Sequence, residues 1–143
     1  MAELLGEHHY QMDPKGRISL PVDYREELRA GVYITLGMDG CLWAFPEEEW
    51  GRQRQEIESW PLSAPGNRGY ARVFFGNAER VDLDSQGRLV VPRRLRDKAR
   101  LEKDVVVMGV GSRLEIWPGA ALAREKDDVE SRYRTGDLSP ERQ

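Results

Sequence analysis

The chain holds 143 residues, 33% charged and 39% hydrophobic, with a formal net charge of −3. No apolar run approaches the roughly 20 residues that a spanning helix needs, which excludes a helical membrane protein and suits a soluble one. Cys41 is the only cysteine, excluding an intrachain disulfide and a thiolate zinc site, and the start Met-Ala-Glu-Leu-Leu-Gly has no signal-peptide pattern, so the cytosol is the expected compartment.

In residues 7–12, His9 alternates with Gln11 while Tyr10 alternates with Met12, the period of a strand with one apolar face. Asp13-Pro14-Lys15-Gly16 supplies a turn, because Asp bonds the backbone that follows it, Pro presets φ and Gly accepts a positive φ. Ile18 and Leu20 resume the alternation, Pro21 ends it, and Val22 to Leu28 reads as a two-turn helix closed near Gly31. Val32 to Leu36 is a short β-branched and aromatic run, and Met38-Asp39-Gly40 turns it into Cys41 to Phe45. After Pro46, Trp50, Gln53, Ile57 and Trp60 share a helical face, with Glu47, Glu48 and Glu49 suitably placed in the first turn. Residues 61–69 read as a linker, and Tyr70, Val73 and Phe74 as another helical turn or two. A strand to Leu83, a turn at 84–87, a strand at 88–91, a helix after Pro92 and strands at 104–109 and 113–117 follow. A last helix is expected from Gly119 to about Tyr133, and a loosely ordered polar tail from Arg134 to Gln143.

This order is a repeat. Asp13-Pro14-Lys15-Gly16-Arg17-Ile18-Ser19-Leu20-Pro21 returns 71 residues later as Asp84-Ser85-Gln86-Gly87-Arg88-Leu89-Val90-Val91-Pro92, both reading D-x-x-G-R, apolar, x, apolar, Pro. Arg25 matches Arg96. The register then slips by one, laying Val32 to Gly37 over Asp104 to Gly109, Leu42 over Leu114 and Phe45-Pro46 over Trp117-Pro118. Each copy is β-β-α-β-β, spanning 7–49 and 78–121, with connecting helices and linker at 50–77 and a C-terminal helix and tail at 122–143. A unit of this size buries too little surface to stand alone, so the copies must pack together within the chain or between chains. They are electrostatically unlike: four Lys/Arg face nine Asp/Glu in 7–49, whereas nine face seven in 78–121.

The Asp and Arg of each D-x-x-G-R admit two readings. In the plain one, Asp stabilises the turn and pairs with a nearby Arg, at a gain of about 0–1 kcal/mol near a surface. In the sharper one, Asp13 and Gly16 build the turn while Arg17 and Lys15 reach outward, the guanidinium fork toward a phosphate or guanine edge and the ammonium toward phosphate. Copy two has Gln86 where copy one has Lys15, so the first turn is the better candidate for an anionic partner. His8 and His9 fall on opposite faces of a strand and cannot chelate one metal together. Asp13 and Asp84 resemble a carboxylate pair, but no Ser-His-Asp set, phosphate loop or Cys/His cluster accompanies them, so neither enzyme activity nor any cofactor or metal is expected. Trp43, Phe45, Trp50, Trp60, Tyr70, Phe74, Phe75 and Trp117 read as core, some of them available between subunits. The Arg93-Arg94-x-Arg96 run is either a solvated helix start or a phosphate-contacting patch.

On these residues the chain resembles the MraZ family of bacterial transcriptional regulators, built from two SpoVT-AbrB-like swapped-hairpin domains. The likeness covers both cores, Gly40-Cys41-Leu42 with Pro46 and Trp50, Met108-Gly109, Leu114-Glu115-Ile116-Trp117 and Thr135-Gly136-Asp137-Leu138-Ser139. It departs from the pattern in Pro14 and a few extra residues at the start. The resemblance implies an α+β, mainly β fold, in which duplicated ββαββ units form a pseudo-twofold swapped-hairpin β-barrel with flanking helices. It implies a ring-like homo-oligomer on the nucleoid that binds double-stranded DNA at repeated boxes upstream of its own division and cell wall genes, chiefly as a repressor. The family's DNA-contacting arginine lands on Arg17, with Lys15 beside it and Arg88 as its counterpart; Asp13, Gly16, Asp84 and Gly87 keep the turn-forming role. A second reading, a ring-forming scaffold for another protein, draws on the acidic first copy and the many aromatics.

Overall fold

Prolines punctuate the architecture. Pro21, Pro46, Pro92 and Pro118 stand at four helix N-caps with φ of −55°, −59°, −57° and −61°, where a fixed φ is already suited to the helix and a missing N–H costs nothing. The computed structural model describes residues 3–141. Copy one contains β1 (Leu4–Gln11), β2 (Arg17–Ser19), α1 (Val22–Glu27), β3 (Val32–Leu36) and β4 (Leu42–Pro46). Then come α2 (Glu47–Glu58) and α3 (Pro65–Gly76), and copy two with β5 (Glu79–Val81), β6 (Arg88–Val90), α4 (Arg93–Lys98), β7 (Asp104–Gly111) and β8 (Leu114–Pro118). The last helix, α5 (Gly119–Thr135), ends on Gly136 in the left-handed conformation, φ +83°.

The strands form an antiparallel six-stranded sheet in the order β1-β7-β8-β4-β3-β5 and a separate two-stranded ribbon, β2-β6. The order is symmetric about the β4–β8 pair, whose ladder centres on Trp43 opposite Glu115. The first strand of each copy therefore lies on the third strand of the other, β1 on β7 and β5 on β3. The ribbon shares the symmetry, with Ile18 opposite Leu89 at its middle. The result is a mostly-sheet α+β fold with interlocked copies. No ladder joins β1 to β5 among the described residues, so the main sheet keeps two edges rather than closing by hydrogen bonds into a barrel.

The repeat register differs from the one expected. Val32 pairs with Pro46 and Val105 with Pro118, so Val32 is equivalent to Val105 and not to Asp104. The physical reason is facing: Val32 and Val105 are both buried, and a one-residue shift would put Asp104 into the core. The hairpin restores the alignment, since Leu36 and Leu42 enclose five residues while Gly109 and Leu114 enclose four. The linker also differs. A helix begins at Pro65, inside the stretch 61–69, because Pro is tolerated in a first helical turn and Gly66 and Gly69 leave the helix free to pack through Phe74. Strand β1 starts three residues earlier than expected, β5 stops at Val81 short of Leu83, and α5 runs to Thr135. The end of the expected tail, residues 142–143, lies outside the described residues.

One hydrophobic core serves both copies: Ile18, Leu28 and Ile34 pack with Leu89, Val107 and Ile116, all fully buried. Each such side chain contributes roughly 1.5–3 kcal/mol of burial, and none could be buried by one copy alone. A second cluster, Val106, Trp117 and Leu122 with Cys41, lies beneath α5. A third joins α2 and α3 to the sheet through Phe45, Ile57 and Phe74, with Trp50 stacked between Tyr33 (4.9 Å) and Phe74 (5.2 Å). Buried Thr35 donates to the Phe74 carbonyl at 2.6 Å, fixing α3 on β3.

Candidate nucleic-acid interface

Each D-x-x-G-R turn is built on its aspartate. Asp13 Oδ1 accepts the backbone N–H of Lys15 (2.9 Å) and of Arg17 (2.9 Å), and Oδ2 accepts Arg17 Nε at 2.5 Å. Asp84 does the same with Gln86 N (2.9 Å), Arg88 N (2.8 Å) and Arg88 Nε (2.7 Å). Gly16 and Gly87 close the turns with φ of +82° and +73°, each N–H donating to the aspartate carbonyl at 2.9 Å. Hydrogen bonds from the following arginine's backbone, then from its side chain, hold both carboxyls below the usual carboxylate range.

The plain and sharper readings of the motif thus merge in one geometry. The carboxylate takes the arginine's Nε and fixes its direction, leaving the two Nη groups at the tip. No partner for those Nη groups appears among the described residues, and the two side chains are 32% and 25% exposed. Ile18 and Leu89 face the core, so their neighbours Arg17, Ser19, Arg88 and Val90 share the outer face of the ribbon. Arg17 and Arg88 are diagonal neighbours there, with Cα atoms roughly 7–8 Å apart for that pairing. Lys15 is exposed beside them, at the tip of the first turn.

Two further arginines complete the site by crossing between copies. Arg96 of α4 bonds the Val91 carbonyl (3.0 Å) and the Pro14 carbonyl (3.4 Å) and lies over Gly16, where a Cβ would fall 2.6 Å from its Nε. Arg25 of α1 bonds the Leu20 carbonyl (2.8 Å) and covers Gly87 in the same way, 2.6 Å from its Cδ. Both glycines therefore lack side chains for two reasons, backbone conformation and an arginine seated on them. Sequence reasoning matched Arg25 to Arg96 but missed this exchange, which only the interlocked topology produces. Five cations (Lys15, Arg17, Arg25, Arg88 and Arg96) surround two carboxylates that are already bonded internally, so the ribbon is locally basic within a chain of net charge −3.

The other candidates disperse. In the Arg93-Arg94-Arg96 run, Arg94 turns to Asn77 Oδ1 (3.2 Å) and Glu79 (3.8 Å) while Arg96 goes to the first turn, so the run is not one patch. His8 packs edge-on against Tyr24 (5.3 Å), whereas His9 bonds Glu7 at 2.8 Å. Cys41 is buried and its thiol is pushed up to about 12, by burial first and then by Glu115, which leaves it protonated and unreactive at neutral pH. No described helix is long and apolar enough to cross a membrane.

Fold and site together define a class: a duplicated, strand-exchanged α+β protein that displays two arginine-tipped turns on one antiparallel ribbon. The chain belongs to the MraZ family, whose model, described as "MraZ protein, putative antitoxin-like", matches residues 4–73 and 74–124. Relatives named "Transcriptional regulator MraZ" include one from Heliobacterium modesticaldum, 43% identical over 113 residues covering 79% of each chain. One from Pelotomaculum thermopropionicum is 41% identical over 129 residues, covering 90% of this chain and 89% of the relative, and one from Moorella thermoacetica is 43% identical over 113 residues, 79% of each.

Proposed function

We propose that the chain is a DNA-binding transcriptional regulator that reads short repeated boxes upstream of its own division and cell wall gene cluster, chiefly repressing it from the cytoplasm and nucleoid. The observation that carries this reading is the pair of D-x-x-G-R turns, each spending Nε on its own aspartate and pointing the Nη tip outward from one ribbon face. The relatives' printed names support it. A two-stranded ribbon fits the major groove of B-DNA, and a guanidinium tip of fixed direction can donate to guanine O6 and N7. Lys15 supplies a phosphate contact. Arg88, with Gln86 in place of that lysine, plays the lesser part in the second turn. Domains 7–49 and 78–121 together act as one swapped-hairpin unit, and units assemble into a ring-like homo-oligomer whose copies engage successive boxes, so that weak single contacts add through linkage.

The test compares wild type with Arg17→Ala on upstream DNA carrying intact or shuffled boxes, titrated against salt. Loss of the arginine should cost roughly 1–3 kcal/mol per engaged site and relax sequence preference, while Lys15→Ala should weaken all DNAs alike and reduce the salt slope by about one ion per site. Unchanged box affinity in Arg17→Ala overturns the assigned role. Equal wild-type binding to intact and shuffled boxes favours the scaffold reading.

A further inference from the structure

The ribbon offers two like turns in unlike surroundings. From the helix C-caps Leu28 and Ala99 to the equivalent residues Val32 and Val105, copy one has three intervening residues and copy two has five. The longer loop carries Glu102 and Lys103 to the end of β1, where the Lys103 carbonyl accepts the Met12 N–H at 2.7 Å. An open pocket of about 630 Å³ results on the flank of the first turn, with Met12, Asp13 and Pro14 on one side and Arg96, Glu102 and Lys103 on the other. Arg96 ties the two sides together through its bond to the Pro14 carbonyl.

The flank of the second turn is built differently. Arg80 of β5 lies across the shorter loop, its Nη2 donating to the Ala30 carbonyl at 2.9 Å and standing 2.7 Å from where a Cβ on Gly31 would be. Its Nη1 is held by Asp82 at 3.0 Å. Around this turn Arg25, Arg80 and Arg88 stand against Asp82 and Asp84, both of which are paired. Around the first turn Lys15, Arg17, Arg96 and Lys103 stand against Glu102 and an Asp13 already bonded within its own turn. Lys103 is exposed, and among the described residues no carboxylate engages it.

We infer that the pocket beside the first turn binds a backbone phosphate of the DNA, with Lys103 donating to it, and that the unit therefore has a polarity on the duplex. The inference rests on the DNA-binding reading and adds to it a contact outside both D-x-x-G-R turns. A ribbon seated in the major groove is bordered by a phosphate strand on each side. Two like turns would let the ribbon sit in either direction, whereas an anion pocket on one flank alone fixes which strand faces the first turn. Phosphate contacts set register and orientation rather than sequence, so Lys103 orients the arginine pair on a box without reading it.

The test is a salt titration of wild type, Lys103→Ala and Lys103→Arg on duplexes bearing one intact or one shuffled box. It is repeated with single phosphates on either flank of the intact box replaced by neutral methylphosphonates. Only the backbone of Lys103 bonds Met12, so both variants should keep the wild-type circular dichroism and melt. Each phosphate contact contributes about 0.9 to the salt slope, so Lys103→Ala should bind more weakly at low salt, its deficit shrinking about 3.5-fold between roughly 50 and 200 mM. Lys103→Arg should restore the slope. A methylphosphonate on one flank only should weaken wild type and leave Lys103→Ala unaffected. An unchanged slope in Lys103→Ala, or a methylphosphonate profile alike on both flanks and in both proteins, would overturn the pocket and leave the regulator reading standing on its box preference. A wild type that binds intact and shuffled duplexes equally would remove the regulator reading itself, and this inference with it.

Discussion

At the scale of single residues, Asp13 and Asp84 do the most with the fewest atoms, each carboxylate gathering three N–H groups and holding one arginine in place. Their folded pKa values are lowered, so the stability they contribute is present above the ordinary carboxylate value of about 3.9 and is lost as pH falls through the depressed folded value. Glu7, lowered by its hydrogen bond from His9 and then by Lys126, adds with the same sign. Acid titrations followed by circular dichroism should therefore show wild type losing stability below about pH 5, and Asp13→Asn with Asp84→Asn losing less over the same range; identical acid limbs would refute the role given to the two carboxyls. The turn itself was legible in the sequence, because Asp bonds the backbone ahead of it, Gly admits a positive φ, and both recur at the same spacing in the second copy. The seats of Arg25 and Arg96 were not, since each depends on a chain segment about 60–80 residues away.

Among the elements, β1 depends most on its neighbour. It lies so close to β7 at Gly109 that a Cβ there would sit 2.4 Å from Leu5 N and 2.5 Å from the Leu4 carbonyl carbon. Gly109→Ala must push the two backbones apart, at a cost of roughly 1–3 kcal/mol or more, which lowers the melting temperature by several degrees for a chain of this length. Calorimetry checks this, and an unshifted melt would show that the strands separate freely. Gly51→Ala, facing open space within α2, makes the contrasting control. Element types were readable from periodicity and proline placement, whereas two details were not. The extra residue before β7 is invisible until pairing shows which valines face inward. Helix α3 was obscured because proline and glycine look alike as breakers, although Pro65 occupies the one helical turn that accepts it.

As a whole molecule, the chain has two copies by descent and one by folding. Neither half owns a complete sheet: among the described residues β1 and β5 each find their only ladder in the other copy, and the ribbon takes one strand from each. Segments 1–62 and 63–143, expressed separately with a tag on one, should copurify and regain sheet circular dichroism when mixed; two halves that fold as independent monomers would contradict the interlocking. The need for joint packing followed from the repeat and the small size of each unit. The exchange itself was legible only through the family resemblance, since alternation tells a strand which face is inward but not which strand lies beside it.

The pairing of β1 with β7 also sets a schedule. Leu4–Gln11 is made about 100 residues before Gly111, the end of its partner strand. At a synthesis rate of about 5–20 residues per second, the first strand waits roughly 5–20 s before the residues that will cover Leu4 exist. The nascent chain therefore spends that interval with an unpaired edge and half a core exposed. Native structure is reached only once β7 has been made, and the segment before it is the part that a ribosome-bound chaperone would have to shield.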